Sequence, residues 1–113
     1  MKDKLFLMKP GFKNAGLGPF YCGDSVPLEG LISFFPKLRD GVEISYLDFP
    51  RPRQAIVDLI GDEHQSVPVI VLADNAEVPN DIETKTSDGR RFIADEKRIR
   101  QYLSLSYDLP TAG

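Results

Sequence analysis

Hydrophobic residues in this chain occur as unbroken runs, as alternating positions and at helical spacing, and each pattern predicts a different element. Unbroken apolar runs at Leu5–Met8 and Val69–Leu72 predict two strands that are buried on both faces. Alternation from Val42 to Tyr46 predicts another strand, and the short segment Arg91–Ile93 predicts a fourth. The pattern therefore predicts four strands.

Three further segments carry apolar residues three and four positions apart, which is the spacing of one helix face. The first helix is expected to begin between Cys22 and Ser25. Gly61 is expected to cap the end of the second helix, and Asp95 the start of the third. The predicted buried faces are Leu28, Leu31, Ile32 and Phe35, then Ala55, Ile56, Leu59 and Ile60, then Ile99, Tyr102 and Leu103.

The segments between these elements differ in length and composition. Residues 10–21 contain three glycines, two prolines and no apolar period, so they predict a loop. Residues 74–89 form a long acidic connection, which predicts either a lid or partner surface, or simple disorder. The tail 108–113 is expected to fray.

Together these elements give the order βαβαββα in a single domain spanning residues 1–113. The two strand-helix-strand units predict parallel pairing, and the last two strands, joined without a helix, predict antiparallel pairing. A four-stranded mixed sheet with helices on both faces is expected. This α/β order is typical of the thioredoxin-like fold at glutaredoxin size.

Composition narrows the class of partner and the compartment. A chain of 113 residues with 42% hydrophobic residues has room for one core, and a net charge of −3 gives no general attraction to nucleic acid or to an anionic membrane. No apolar run approaches the roughly 20 residues that span a bilayer, and the N-terminus lacks a secretory signal pattern. A single cysteine cannot form an internal disulfide. We therefore expect a cytoplasmic protein that binds neither nucleic acid nor membrane.

The lone cysteine is the main candidate for chemistry. Cys22 lies at the predicted start of a helix, where unpaired N–H groups and the helix dipole favour the thiolate. The hydroxyl of Ser25 can hydrogen-bond the sulfur but cannot resolve a mixed disulfide, so dithiol chemistry within one chain is excluded. The alternative is that Cys22 is a small buried hydrophobic residue without a role in chemistry.

Three segments resemble the glutaredoxin and glutathione-transferase N-terminal branch of the thioredoxin-like superfamily. Cys22-Gly23-Asp24-Ser25 is similar to the Cys-Gly-Phe-Ser motif of monothiol glutaredoxins, which implies that Cys22 is a nucleophile or a cluster ligand. Val67-Pro68-Val69 is similar to the segment in which the superfamily's proline is cis and the residue before it pairs with a bound thiol peptide. Residues 91–103 resemble the transferase stretch that contains a Glu-Ser pair.

The resemblance also extends to a bacterial family of uncharacterised glutaredoxin-like domains, through residues 5–12 and 48–55. That family implies no particular activity. The superfamily implies glutathione as a candidate cofactor, but Glu96 stands where transferases use a serine to bind the γ-glutamyl carboxylate, and the glycine pair of glutaredoxins is missing, so no cofactor is predicted. Because two carboxylates repel each other, Glu96 argues against the usual glutathione site. Asp24 likewise disfavours a thiolate beside it.

Two arginines supply a candidate anion site. Arg51 and Arg53 flank Pro52 at the predicted start of the second helix, where they can hold a peptide carboxylate; solvated charges are the alternative. One cysteine and one histidine, His64, lack the spacing of zinc ligands, so no metal site is predicted.

Two functions remain open from the sequence. The first is a monothiol redox module that reacts with a thiol peptide or protein disulfide, with Cys22 and Ser25 as catalytic residues and Val67, Pro68, Arg51 and Arg53 as binding residues. The second is a non-catalytic binding or dimerisation module, including a homodimer, that kept the fold.

Overall fold

A computed structural model describes residues 1–113 as a compact α/β domain with seven strands and four helices. The strands are β1 (Asp3–Met8), β2 (Phe12–Asn14), β3 (Leu17–Phe20), β4 (Val42–Leu47), β5 (Val69–Val71), β6 (Lys85–Ser87) and β7 (Arg90–Ile93). The helices are α1 (Ser25–Phe34), α2 (Leu38–Gly41), α3 (Gln54–Ile60) and α4 (Glu96–Ser106). None of these helices is long and apolar enough to span a membrane.

Five strands form one mixed sheet in the order β4-β1-β5-β7-β6. Strand β1 pairs in parallel with β4, and every other pairing in this sheet is antiparallel. The mixed sheet and the antiparallel pairing of the last two predicted strands are confirmed, but the predicted number of four strands is wrong. The additional strand, β6, lies within the predicted loop 74–89; its residues Lys85, Thr86 and Ser87 are polar, so they carry no strand pattern.

The predicted parallel pairing of the second strand-helix-strand unit is also wrong. Strand β5 joins the free side of β1 and runs antiparallel to it, so β5 also opposes β4 in direction. The reason lies in the segment after α3: Gly61, with φ of 88°, ends the helix, and the side chain of Gln65 returns to accept the Arg53 N–H at 2.8 Å. Because the chain doubles back along α3, β5 enters the sheet at the edge where β4 ended.

Helices cover both faces of the sheet, as predicted. Leu5 and Leu7 of β1 point to one face, where α1 and α4 pack against them; Phe6 points to the other, where α3 packs. This alternation explains why β1 is apolar at successive positions. The fully buried residues that α1 and α4 contribute are Leu28, Ile32, Ile99, Tyr102 and Leu103.

The predicted loop 10–21 contains a two-stranded hairpin, formed by β2 and β3. Its turn places Ala15 and Gly16 at φ of 53° and 77°, the left-handed region that a type I′ hairpin turn requires at both central residues. Alanine is not a residue that signals such a turn, and Pro19 inside β3 argues against a strand. The hairpin was therefore not predicted from the sequence.

Helix boundaries differ from the expectation at the point that bears on function. Helix α1 begins at Ser25 with Asp24 as its N-cap, so Cys22 lies in the loop before the helix and not in its first turn. The short helix α2 was not predicted. The expected fraying of the tail is wrong for Leu109, which is buried and donates its N–H to the carbonyl of Ser104 at 2.8 Å.

Candidate functional site

The residues that the sequence singled out lie at one edge of the sheet, where β1 and β4 end and β5 begins. We call this the Cys22 edge and define it by Met8, Leu47 and Val69. The hairpin leads the chain from β1 to Cys22, and its ring Phe12 stacks on Phe49 with centroids 4.5 Å apart. This stacking fixes the hairpin against the loop that follows β4.

The thiol of Cys22 is half-buried and points at the backbone before Pro68. Its Sγ lies 3.9 Å from the carbonyl oxygen of Val67, a hydrogen-bonding distance for sulfur. The Val67–Pro68 peptide bond is cis, as the sequence predicts, and Pro68 is buried. The structure thus brings Cys22, Val67 and Pro68 together, although Cys22 and Val67 are 45 residues apart in the chain.

Ser25 lies near Cys22 in the chain, but its hydroxyl has a structural partner. Ser25 is buried, and its Oγ accepts the backbone N–H of Met8 at 3.2 Å. Its own N–H is donated to the carbonyl of Cys22 at 3.1 Å. The contacts of Ser25 therefore tie the start of α1 to the end of β1 and hold the loop that carries Cys22.

The two predicted anion-binding arginines differ in burial. Arg51 is exposed, whereas the whole residue Arg53 is only 9% exposed. The Arg53 guanidinium donates to the carbonyl of Phe49, from Nε at 3.2 Å and from Nη2 at 2.8 Å, and to the carbonyl of Gln65, from Nη1 at 2.7 Å. The same guanidinium lies over the Phe49 ring at 5.6 Å. The structure does not bring the two arginines together as a pair facing solvent.

All hydrogen-bond acceptors of the Arg53 side chain are neutral carbonyl oxygens, and no carboxylate pairs with it. Burial lowers the pKa of the Arg53 guanidinium, and the positive charge of Arg51 lowers it further, whereas the Cys22 sulfur acts in the opposite direction. A buried cation without an acidic partner therefore lies within electrostatic range of the thiol.

Other charged groups at this edge are already paired or point to solvent. Lys9, which follows β1, forms an ion pair with Asp48 at 3.2 Å. Glu96 begins α4 and pairs with Arg100 at 3.1 Å. Asp24 is exposed and makes no side-chain capping hydrogen bond. Arg53 is thus the buried cation of this edge.

A pocket of about 280 Å³ opens beside Cys22. Its wall is mostly apolar. Tyr46 and Glu29 complete the wall, and the Tyr46 hydroxyl donates to the Glu29 carboxylate at 2.7 Å. The sequence did not reveal this pair. Burial raises the pKa of Tyr46, and the bond to Glu29 raises it further. The lining residues are Leu7, Met8, Pro10, Tyr21, Cys22, Ser25, Val26, Glu29 and Tyr46.

Sequence reasoning missed Gln65 and the pair of Tyr46 with Glu29. Tyr46 was assigned only to a strand, and Glu29 lies on the polar side of the α1 pattern, so neither carried a signal for the other. His64, the single histidine of the chain, packs on Phe92 with ring centroids 4.9 Å apart. No cluster of three or more His, Cys, Asp or Glu side chains is arranged to hold a metal ion.

Fold and site together define a small α/β domain with one cysteine at the edge of a mixed sheet. Residues 2–111 match the family described as Protein of unknown function (DUF3088), and the chain belongs to that family. No curated protein and no solved structure matches the chain. The expected membership of a family without an assigned activity is therefore borne out.

Proposed function

We propose that this protein is a thioredoxin-like monothiol module whose Cys22 undergoes thiol-disulfide exchange. The observation that carries the proposal is the half-buried Cys22 thiol, 3.9 Å from the Val67 carbonyl at the Cys22 edge. Four strands in the order β4-β1-β5-β7 support the thioredoxin-like assignment. Among their neighbouring pairs, β1 with β4 is parallel and the other two pairs are antiparallel. The hairpin and β6 are then additions to that arrangement.

Arg53 supports a reactive thiol. Its guanidinium binds the carbonyl of Gln65, and the Cys22 thiol contacts the carbonyl of Val67, two residues further along the same segment. The Cα atoms of residues two apart are separated by at most about 7 Å. A positive charge beside this segment stabilises the negative charge that the sulfurs share during an exchange reaction, and its burial reduces screening by solvent.

The reaction needs only the groups at this edge and an external disulfide. The Cys22 thiol loses its proton to solvent, and the thiolate attacks one sulfur of a disulfide R–S–S–R. A Cys22–S–S–R bond forms, and the second sulfur leaves as a thiolate that takes up a proton. A second external thiol releases Cys22 by the same exchange, because the chain has no second cysteine.

Backbone groups near Pro68 offer a place for the partner's chain. The segment before β5 lies at the sheet edge beside the thiol, so an extended thiol peptide can run alongside Val67 while its cysteine meets Cys22. Arg51 is exposed and is available to a carboxylate of such a peptide. Ser25 supports this reaction by holding the Cys22 loop.

The test is the rate at which Cys22 forms a mixed disulfide. The folded protein and the same protein in urea are incubated at pH 7 with hydroxyethyl disulfide, a small neutral probe, and the adduct is quantified by intact mass. We expect the folded chain to react two- to fivefold faster, since the buried Arg53 charge stabilises the negative charge that the sulfurs share during the exchange. The Cys22→Ser variant must give no adduct.

A folded chain that reacts more slowly than the unfolded chain would overturn the proposed chemistry. That result would favour the second function, a non-catalytic binding or dimerisation module in which the contact of Cys22 with Val67 only stabilises the fold.

A further inference from the structure

The pocket beside Cys22 has a size and a charge that favour one kind of reaction partner. Its volume of about 280 Å³ is just below the range of roughly 300–1,000 Å³ that is typical of small-molecule sites. A space of this size accommodates one or two side chains. Since Cys22 is part of its wall, a group in the pocket lies next to Cys22.

The walls of the pocket are apolar, and they contain no cation. Leu7, Met8, Pro10 and Val26 contribute aliphatic surface, and Tyr21 contributes an aromatic ring. The only acidic or basic lining residue is Glu29, whose carboxylate accepts the Tyr46 hydroxyl and forms an ion pair with Arg39 at 3.6 Å. An acidic group entering this space would lose water and find no free cation, because the Arg39 guanidinium already binds the Glu29 carboxylate and the Tyr46 hydroxyl.

The buried cation of the edge does not compensate for this. Arg53 is not a lining residue of the pocket, and its guanidinium binds the carbonyls of Phe49 and Gln65. Its charge therefore acts on the sulfur and is not presented to the group that fills the pocket. Glutathione, which carries two carboxylates, matches this surface poorly.

From this geometry we infer that the pocket selects the disulfide partner of Cys22 by taking up an uncharged apolar side chain next to the partner's cysteine. The occupant is a residue such as phenylalanine or leucine in an extended cysteine-containing segment of another protein. This selection by the pocket rests on the proposed function, because it has meaning only if Cys22 reacts. The apolar wall carries the choice: it accepts an apolar side chain, whereas an acidic one would lose its water without gaining a free cation.

The experiment compares two symmetric disulfides that differ in one side chain. They are the disulfides of acetyl-Phe-Cys-amide and acetyl-Glu-Cys-amide, and the rate of Cys22 adduct formation is measured by mass in the full chain, folded and in urea. In each state of the chain, the rate with the phenylalanine peptide is divided by the rate with the glutamate peptide. We expect this ratio to be five to ten times higher in the folded chain than in urea. Division by the unfolded ratio removes the intrinsic difference between the two disulfides.

Three variants locate the effect. Val26→Asn makes the pocket wall polar and should reduce the preference to less than twofold, whereas Glu29→Gln should raise the rate with the glutamate peptide. Phe34→Asn is the matched control: Phe34 lies on the same helix, is 82% exposed and does not line the pocket, so the preference should persist.

The outcomes separate the inference from the proposed function. Rates with both peptides that do not exceed those of the unfolded chain would refute the function itself. Fast but equal rates would leave the function standing and overturn the selection by this pocket. A preference that survives Val26→Asn but disappears in Phe34→Asn would also overturn it, because the selecting surface would then lie elsewhere on α1.

Discussion

Replacement of Arg53 tests how the fold activates the cysteine. Arg53→Met removes the charge, while Arg53→Lys retains it. The guanidinium and the thiol bind carbonyls two residues apart, so we take a charge separation of roughly 8 Å. At an effective dielectric constant of about 40 to 80, suitable for a half-exposed thiol, the interaction is about 0.5–1 kcal/mol. This corresponds to a two- to fivefold change in the rate at which the Cys22 sulfur reacts.

The assay is alkylation of Cys22 by iodoacetamide, a neutral reagent, followed by intact mass at pH 7 and low temperature without denaturant. Arg53→Met should react two- to fivefold more slowly than the native chain, and Arg53→Lys should keep most of the rate. The reasoning is refuted if the methionine variant, shown to be folded by circular dichroism, reacts at the native rate.

The same variants separate stability from reactivity. Arg53→Met leaves the carbonyls of Phe49 and Gln65 without their guanidinium donors, and each lost hydrogen bond of this kind costs about 1–3 kcal/mol. Lysine cannot reproduce the planar set of donors, so Arg53→Lys should also be destabilised. An Arg53→Lys variant with native reactivity and reduced stability would show that charge, and not packing, controls the sulfur.

Two further predictions concern groups that support the fold. Burial and the Asp3 carboxylate raise the pKa values of Tyr102 and Tyr107, so the stability that these protonated phenols contribute is present below about pH 10 and is lost as pH rises above it. Urea unfolding measured at pH 8–11 should show this decline in stability. A double variant with Tyr102→Phe and Tyr107→Phe should show a smaller decline. Ser25→Ala removes the acceptor of the Met8 N–H and should cost about 1–2 kcal/mol in urea unfolding; an unchanged midpoint would contradict this role.

The sequence was sufficient to predict those elements whose structure depends on the pattern of apolar residues. The continuous runs of β1 and β5 and the helical faces of α1, α3 and α4 predicted a mixed sheet with helices on both faces, since burial follows these periods directly. Elements without such a pattern were missed. The edge strand β6 is polar, and the hairpin turns on Ala15, a residue that seldom adopts positive φ.

Only part of the site was predicted, because its members come from separate segments of the chain. The sequence singled out Cys22 and Pro68, and the structure places them together through the contact of Cys22 with Val67. The burial of Arg53 could not be read from the sequence, because it depends on the return of Gln65 to the start of α3. The pocket depends likewise on Glu29 and Tyr46, which meet only through the packing of α1 near β4.

The central claim is that the fold makes Cys22 a reactive monothiol, and the ratio of its rates of mixed-disulfide formation in the folded and urea-unfolded chain at pH 7 tests this most directly. The nearby Arg53 charge predicts a ratio of about two to five with hydroxyethyl disulfide. A ratio below one would contradict the claim, because it would show that the fold shields the sulfur instead of activating it.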